Sequence, residues 1–258
     1  MDVVHRVTSR DGTSIAFERV GAGPALILVD AAGNYRDFRP LRAPVERLAE
    51  HFTVYVYDRR GRGASTDTLP YAVGREVEDL DALIAEAGGS AFVSGMSSGC
   101  LLALHAAAGG LAIPRLALFE PPMGSEEDRP AELAFTAELT QLMSAGRRRE
   151  AVELFHRGSV PDEIIAQMTP QVWAALEAVA HTLVYDATIA NATSLELVRS
   201  VKAPTLVIDS QGSGGDLSDM SARVVEALPN GTARSLPGGW HGVPGEVLAP
   251  VLIEFFGG

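Results

Sequence analysis

Residues 92–104 read FVSGMSSGCLLAL: an apolar run, a turn of small residues and a second apolar run. Within this stretch, residues 95–99 fit the pattern G-x-S-x-G with Ser97 at the centre. In that pattern the serine occupies a sharp, strained turn from a strand to a helix, and its neighbours are small because the backbone packs closely there. The hydroxyl then stands beside a helix N-terminus, whose dipole favours developing negative charge. The stretch predicts a strand–turn–helix unit that presents Ser97 as a nucleophile.

Two neighbours of Ser97 carry groups that could also react. Ser98 is flanked two residues away by Met96 and Cys100, so of the two serines Ser97 alone has glycine on both sides at that spacing. Cys100 falls at the start of an apolar helical pattern, where a cysteine packs as a small hydrophobic residue. We therefore expect Ser97 to attack and Cys100 to serve packing.

Apolar runs that do not alternate with polar residues stand on both sides of this unit. Such runs are typical of strands covered on both faces of a parallel sheet. They are ALILV (25–29), FTVYVY (52–57), AFV (91–93), LALF (116–119) and TLVI (205–208). Helical patterns lie between them, as in residues 74–88, whose acids fall on the face opposite its apolar stripe. The alternation predicts right-handed crossovers and an open, doubly wound α/β sheet.

The two ends of this pattern differ from its middle. Partly alternating runs flank Asp11 and Gly12, which predicts an N-terminal antiparallel hairpin. Residues 121–201 contain helical patterns but no convincing strand. Because this segment follows a strand end, where open α/β sheets bind their ligands, we expect it to form a helical cap. The predicted division is a core of residues 1–120 and 202–258 with a cap of residues 121–201.

Composition limits the partners. The 258 residues are 47% hydrophobic, enough for a substantial core, and carry a net charge of −12. This charge repels phosphate backbones and anionic lipids, so we expect neither nucleic acid nor membrane as a partner. The N-terminal residues lack the pattern of a signal peptide, and we expect a cytoplasmic protein. No H-E-x-x-H or C-x-x-C pattern is present, so we expect no metal and no cofactor.

Three further stretches resemble the α/β-hydrolase superfamily, and with residues 95–99 the resemblance covers nearly the whole chain. YDRRGRGAS (57–65) is similar to its D-x-R-G-x-G-x-S loop, PTLVI (204–208) to the strand before its acid loop, and LPGGWHGVP (236–244) to its histidine loop. The resemblance implies the α/β-hydrolase fold: a mostly parallel, doubly wound sheet with an N-terminal antiparallel hairpin and a helical cap after the sixth strand. Within the superfamily, the central serine implies the serine-hydrolase branch of esterases and lipases.

A serine hydroxyl needs an adjacent base to attack at neutral pH. Of the six histidines, His241 lies in a glycine-rich loop just before the final helix. The superfamily also places its histidine last in chain order. We expect His241 to be the base. The other histidines fall in strand, helix or cap patterns: His5, His51, His105, His156 and His181.

The acid that orients the histidine departs from the superfamily pattern. In the G-x-x-D turn after PTLVI, Ser210 replaces the glycine and Ser213 replaces the aspartate. Three acids could take its place. We favour Glu120, then Asp216, then Asp209, because a strand-end carboxylate followed by two prolines would be rigidly aimed and orienting the imidazole is the task of the acid.

The resemblance also implies an oxyanion hole of two backbone N–H groups. Ser98 provides the first, and by register Ala32 provides the second. Asp30 and Ala31 replace the His-Gly of the superfamily, and a carboxylate of Asp30 aimed at the hole would repel the oxyanion. As substrate-pocket residues we expect the following side chains: Asn34, Tyr35, Met96 and Trp240.

These residues predict a serine hydrolase that cleaves a small or medium ester, thioester or lactone through a covalent acyl-enzyme. The expected partner is therefore a small-molecule substrate, bound beneath a largely apolar cap. The alternative is a non-hydrolytic member of the superfamily: a lyase, a C–C bond hydrolase, a perhydrolase or a ligand-binding protein with weak turnover. A serine in place of aspartate argues against dehalogenase and epoxide-hydrolase chemistry.

Overall fold

The structure, a computed structural model, describes residues 3–38, 44–157 and 159–258. Within these residues eight strands form one sheet in the order β1-β2-β4-β3-β5-β6-β7-β8. The strands are β1 (His5–Thr8), β2 (Ser14–Val20), β3 (Ala25–Val29), β4 (Thr53–Tyr57), β5 (Phe92–Met96), β6 (Leu116–Phe119), β7 (Thr205–Gly212) and β8 (Gly231–Gly239).

The second strand, β2, runs opposite to all the other strands of the sheet. β1 pairs with β2, and β2 with β4, in antiparallel register, while every pairing from β4 to β8 is parallel. This confirms the mostly parallel sheet with an N-terminal antiparallel hairpin. The chain moves outward from β3 to β4 and then returns past β3 to β5. The strand order therefore reverses beside β3, and the carboxyl ends of β3 and β5 border the crevice where such sheets bind ligands.

Helices cover both faces of the sheet. In chain order they are α1 (Val45–Leu48), α2 (Val73–Glu86), α3 (Ser98–Ala108), α4 (Arg129–Ser144), α5 (Arg148–His156), α6 (Asp162–Ala166), α7 (Pro170–Ala178), α8 (Leu183–Ala192), α9 (Leu195–Ser200), α10 (Gly215–Ala227) and α11 (Gly245–Gly257). Ile27 and Val93 face a core formed with α2, α3 and α10, and Leu26 and Val54 face a core formed with α1 and α11. The sheet is thus doubly wound, as predicted. No helix in the described part of the chain combines the length and apolarity that a bilayer crossing requires.

The described residues of the segment between β6 and β7 form helices α4 to α9 and no strand. Two small apolar clusters join helices of this segment: Leu139, Leu142, Ala151 and Ala187 form one, and Val152, Leu176, Ala180 and Leu183 form the other. Its last part is different, because Ile189, Val198 and Val201 belong to the main core around α3. The end of the segment therefore packs as part of the body, and its earlier helices pack mainly on one another.

The acids of α2 correct one expectation. The pattern placed the acids of residues 74–88 on the face opposite the apolar stripe, yet Glu76 and Asp79 are each 1% exposed. Glu76 accepts hydrogen bonds from Arg59, and Asp79 accepts them from Arg60. Because a buried charge is tolerated only with a close partner, the buried arginines after β4 determine which acids of α2 face inward.

Candidate active site

Ser97 lies in the turn between β5 and α3, with φ 51° and ψ −126°. The two glycines of the motif make this turn possible. A Cβ atom on Gly99 would lie 2.2 Å from the carbonyl oxygen of Val29, and one on Gly95 would lie 2.7 Å from Cα of Cys100. Cys100 is fully buried and its thiol donates to the carbonyl oxygen of Phe119 at 3.3 Å. The helix therefore approaches the sheet closely enough to hold Ser97 in its strained conformation.

His241 lies in a tight turn after β8. The N–H of Gly242 donates to the carbonyl oxygen of Gly239 at 2.9 Å, and the N–H of Gly239 donates to the carbonyl oxygen of Gly242 at 3.3 Å. The imidazole packs against the Trp240 ring, 4.5 Å between centroids, and His241 is 7% exposed. The turn thus presents a largely buried imidazole at the carboxyl end of the sheet.

Glu120, the residue directly after β6, is fully buried and reaches the same imidazole. Its Oε2 lies 2.5 Å from Nδ1 of His241 and accepts the backbone N–H of His241 at 3.1 Å. Its Oε1 accepts the N–H of Ser210 at 2.9 Å. Burial raises the pKa of the Glu120 carboxyl, but hydrogen bonds from His241, Ser213 and Ser210 outweigh burial and hold that pKa below its usual value. The carboxylate is therefore ionised at neutral pH.

Backbone strain is concentrated at these three residues. Among the described residues, the non-glycine residues with positive φ are Ser97, Glu120 and His241, at 51°, 51° and 48°. Such conformations cost about 1–3 kcal/mol each and persist where the surroundings over-determine them, most often at functional sites. Each residue follows a strand end, so the strain lies along one edge of the sheet.

The other candidate acids lie elsewhere. Oδ2 of Asp209 accepts hydrogen bonds from Ser218 and Ser235 at 3.1 and 3.3 Å. Asp216 lies in the first turn of α10 and lines a large cavity that Ser97 and His241 also line. Of the three acids, Glu120 is the one that the structure places against the imidazole.

The serines that replace the usual glycine and aspartate support this arrangement. The hydroxyl of Ser210 donates to the carbonyl oxygen of Gly239 at 2.5 Å and lies 2.5 Å from the hydroxyl of Ser213. Gly239 closes the turn that carries His241. Ser210 and Ser213 therefore stabilise both the turn that carries His241 and the carboxylate of Glu120.

Ser97 and His241 line a cavity of about 730 Å³. The loop after β3 contributes Ala32 and Asn34, and Trp240 lies beside the imidazole. Helices α5 to α7 and their connections contribute an apolar wall of Phe155, Val160, Ile164, Met168, Val172 and Leu176. A largely apolar cavity with a few convergent polar groups is the usual form of a small-molecule site.

Two predicted pocket residues lie outside the described lining of this cavity. Met96 lines a smaller cavity of about 260 Å³, which Asp30 also lines. His241 lines both this cavity and the larger one. Tyr35 exchanges two backbone hydrogen bonds with Phe38, at 2.8 and 3.0 Å, and its ring packs on that phenylalanine. Asn34 and Trp240 are thus the predicted pocket residues that the large cavity contains.

The segments expected to supply the oxyanion hole meet near Ser97. Ser98 is the first residue of α3, where the backbone N–H has no acceptor within the helix. Ala32 lies in the loop after β3 and lines the large cavity. Asp30 lines the smaller cavity, and its carbonyl oxygen accepts a hydrogen bond from Arg59 at 3.4 Å.

Sequence reasoning missed a buried group that we call the arginine–aspartate cluster: Arg59, Arg62, Glu76, Ser98 and Asp186. Asp186, on α8, accepts hydrogen bonds from Arg59 at 2.7 Å, from the hydroxyl of Ser98 at 2.8 Å and from Arg62 at 2.6 Å. Burial raises the pKa of Asp186, but the two guanidinium groups outweigh it and lower that pKa. The contacts join positions far apart in the chain, and local periodicity carries no signal for them.

His156 is a second residue that the sequence did not assign to the site. It ends α5 and lines the large cavity. Its Nδ1 lies 2.7 Å from the carbonyl oxygen of Val152, which makes Nδ1 the protonated nitrogen. Burial lowers its pKa and outweighs this hydrogen bond. His156 is therefore a neutral imidazole with Nε2 as its acceptor nitrogen, and it is one of the residues that line the cavity.

Among the described residues, no three side chains of the His, Cys, Asp or Glu types come close enough together to hold a metal ion.

The chain belongs to the alpha/beta hydrolase family, whose model matches residues 21–249. This confirms the resemblance to the α/β-hydrolase superfamily. A crystal structure of an alpha/beta hydrolase from Sphaerobacter thermophilus DSM 20745 is 45% identical, covers 98% of this chain and 100% of its own, and superposes with a TM-score of 0.86. The enol-lactonase from Burkholderia xenovorans LB400 is 20% identical, with coverage of 98% and 100% and a TM-score of 0.72, and shares the fold.

Among curated proteins, the chain is similar to a pimeloyl-[acyl-carrier protein] methyl ester esterase from Xanthomonas campestris pv. campestris (strain B100). The two are 43% identical over 91 residues, 34% of this chain and 33% of the relative. The match thus spans about a third of the length of the curated relative. The chain is thus a member of the alpha/beta hydrolase family that resembles an esterase over part of its length.

Proposed function

We propose that the protein is a serine hydrolase that cleaves a small or medium ester, thioester or lactone through a covalent acyl-enzyme. The observation that carries the proposal is the contact between Glu120 and Nδ1 of His241, on an imidazole that shares its cavity with Ser97. A base oriented by a buried carboxylate is what a serine hydroxyl needs to become a nucleophile.

The acylation step assigns one task to each residue. Ser97 Oγ bonds to the substrate carbonyl carbon while its proton passes to Nε2 of His241. The N–H groups of Ser98 and Ala32 stabilise the resulting oxyanion. His241 then gives the proton to the leaving oxygen or sulfur as its bond to carbon breaks. In deacylation His241 takes a proton from water, the water oxygen bonds to the acyl carbon, and Ser97 regains its proton as the acid leaves.

Glu120 is the acid of the proposed triad. Its carboxylate stays charged during the reaction, holds the tautomer of His241 with the proton on Nδ1 and stabilises the imidazolium that forms. The lowered pKa of Glu120 supports this task, since the carboxyl keeps its charge well into the acidic range. Ser210 and Ser213 support the displaced acid from the position where the superfamily usually carries an aspartate.

The helices between β6 and β7 act as the cap in this proposal. They supply the apolar wall of the cavity, so the acyl or alcohol chain of the substrate packs against α5 to α7. The acids at the described wall, Asp162 and Asp216, favour an uncharged chain over an anionic one. The partial similarity to a methyl ester esterase supports ester chemistry in general.

The test is a screen of p-nitrophenyl esters with acyl chains of increasing length. We expect wild type to hydrolyse a subset of them and Ser97→Ala to lose turnover. Cys100→Ala is the matched control, because it removes the thiol nearest to the elbow and leaves the proposed machinery intact. Turnover that survives in Ser97→Ala would overturn the assignment. A wild type that reacts with a fluorophosphonate at Ser97 but hydrolyses no ester would favour the non-hydrolytic alternative.

A further inference from the structure

We propose that Arg62 fixes the peptide between Ala31 and Ala32 so that the N–H of Ala32 faces the cavity, and that Asp186 holds Arg62 in place. Both would be positioning residues of the oxyanion hole. The inference rests on the proposed function and adds to it that the inserted helix α8 helps to form the hole.

The peptide geometry gives the direction of the N–H group. Nη1 of Arg62 donates to the carbonyl oxygen of Ala31 at 2.8 Å. In a trans peptide the carbonyl and the following N–H point in opposite directions, so the N–H of Ala32 points away from Arg62. Ala31 and Ala32 line the cavity with Ser97, whereas Arg62 is 1% exposed. The bond to Arg62 therefore directs the N–H of Ala32 toward the cavity.

The guanidinium of Arg62 is itself fixed on several sides. Its Nε donates to the hydroxyl of Thr182 at 3.1 Å and its Nη2 to Asp186 at 2.6 Å. A buried guanidinium requires such partners, because its charge is taken out of water. The planar fork has fixed donor directions, so these two bonds leave Nη1 aimed at the loop after β3. There Nη1 also lies 3.4 Å from the carbonyl oxygen of Asn34.

Asp186 reaches the other half of the hole as well. Its Oδ1 accepts a hydrogen bond from the hydroxyl of Ser98. The backbone N–H of Ser98 is the first proposed donor of the oxyanion hole. The same oxygen binds Arg59, which lies 3.4 Å from both Ser98 Oγ and the carbonyl oxygen of Asp30. One carboxylate on α8 thus connects the start of α3 with the loop after β3, the two segments that must converge on one oxyanion.

This arrangement is a property of this chain and does not follow from the loop pattern D-x-R-G-x-G-x-S. Arg59 and Arg62 occupy positions that the pattern leaves open, and Arg60 occupies its arginine position. Arg60 is equally buried but binds Asp11 and Asp79, away from the loop after β3. It is therefore a matched control for the loss of a buried, paired arginine.

The probe is a fluorophosphonate, applied to the full chain. Ser97 Oγ bonds to phosphorus, fluoride leaves, the serine proton passes to His241, and the phosphoryl oxygen takes the place of the oxyanion. We expect Arg62→Lys and Asp186→Asn to slow labelling by about 10- to 100-fold, somewhat less than the loss of a whole oxyanion donor. On the best ester from the screen, kcat should fall while KM stays within about threefold. Arg60→Lys should lower Tm by as much as Arg62→Lys does. The fluorophosphonate should nevertheless label Arg60→Lys nearly as fast as wild type.

The outcomes separate the two proposals. A wild type that is not labelled at Ser97 overturns the proposed function itself. If wild type is labelled but Arg62→Lys and Arg60→Lys slow labelling equally, the positioning role of Arg62 is overturned. Should Arg62→Lys fail to fold, Thr182→Val removes one acceptor of the guanidinium and leaves the arginine in place. A folded Thr182→Val that labels at the wild-type rate, together with a folded Asp186→Asn that does the same, would contradict the inference.

Discussion

Oε2 of Glu120 contacts His241 at two points, 2.5 Å from Nδ1 of the ring and 3.1 Å from the backbone nitrogen. The carboxylate therefore contacts both the imidazole and the backbone of the turn that carries it. Since Glu120 and His241 follow different strands, β6 and β8, the contact depends on the sheet order that places β7 between them.

The first prediction concerns the identity of the acid. Glu120→Gln keeps the shape of the side chain but loses the charge that stabilises the imidazolium, so kcat should fall by about 10²- to 10⁴-fold. Asp209→Asn is the matched control, because its carboxylate binds Ser218 and Ser235 instead of the histidine. Steady-state kinetics on one ester measure both. A larger loss in Asp209→Asn, or in Asp216→Asn, would reject Glu120 as the acid.

The second prediction follows from the lowered pKa of Glu120. A carboxyl whose pKa is lower in the folded than in the unfolded protein stabilises the fold above its unfolded pKa, and this stabilisation is lost as pH falls through the folded value. The free energy of unfolding should therefore fall more steeply below about pH 4.5 in wild type than in Glu120→Gln. Urea unfolding at a series of pH values measures the slopes, and parallel slopes would contradict the prediction.

The third prediction concerns the close approach of helix and sheet at the elbow. Gly99→Ala places a methyl group 2.2 Å from the carbonyl oxygen of Val29, so it should destabilise the fold by about 3 kcal/mol or more and abolish turnover. Gly74→Ala, in α2, meets no atom within 4 Å. It should be neutral or stabilise by up to about 1 kcal/mol. Chemical denaturation measures both, and equal effects would show that the elbow is not tightly packed.

The fourth prediction concerns the apolar wall of the large cavity. Met168→Trp adds volume to that wall and should shift the preference among p-nitrophenyl esters toward shorter acyl chains. The ratio of kcat/KM for a long and a short ester should change by about tenfold, since a few methylene contacts are lost. Leu133→Trp, on an exposed position of α4, is the control. An unchanged ratio in Met168→Trp would place the acyl chain elsewhere.

The fifth prediction concerns His156. His156 lines the large cavity, and its Nε2 is a hydrogen-bond acceptor. A substrate with a hydroxyl or N–H in its chain should therefore form an additional hydrogen bond and react with a higher kcat/KM. His156→Phe should lower kcat/KM for a hydroxylated ester by about 10-fold or more and leave the unsubstituted ester within about threefold. His105→Phe is the control, because His105 lies in α3 and contacts Thr193 away from the cavity lining. Equal loss on both esters would indicate a purely structural role.

Much of the fold and part of the candidate site could be predicted from local sequence. The apolar runs predicted parallel strands because a strand covered on both faces has no solvent-exposed positions for polar side chains. Gly95 and Gly99 marked the elbow because a side chain at either position would collide with neighbouring backbone. His241 was found from the glycine-rich loop before the last helix. All of these signals lie within a few residues of the feature that they predict.

The sequence by itself determined five parallel strands, the hairpin, the helical insertion and the turn that presents Ser97, because each depends on local periodicity and on the size of side chains next to the backbone. β8, whose residues are mostly exposed, has no apolar run that would predict it. Tertiary structure alone brought Glu120 to His241, turned Glu76 and Asp79 inward and joined Asp186 to Arg62. Those contacts link positions 17 to 124 residues apart. They form because a charge buried by the fold is stable only beside a partner that the packing has brought near.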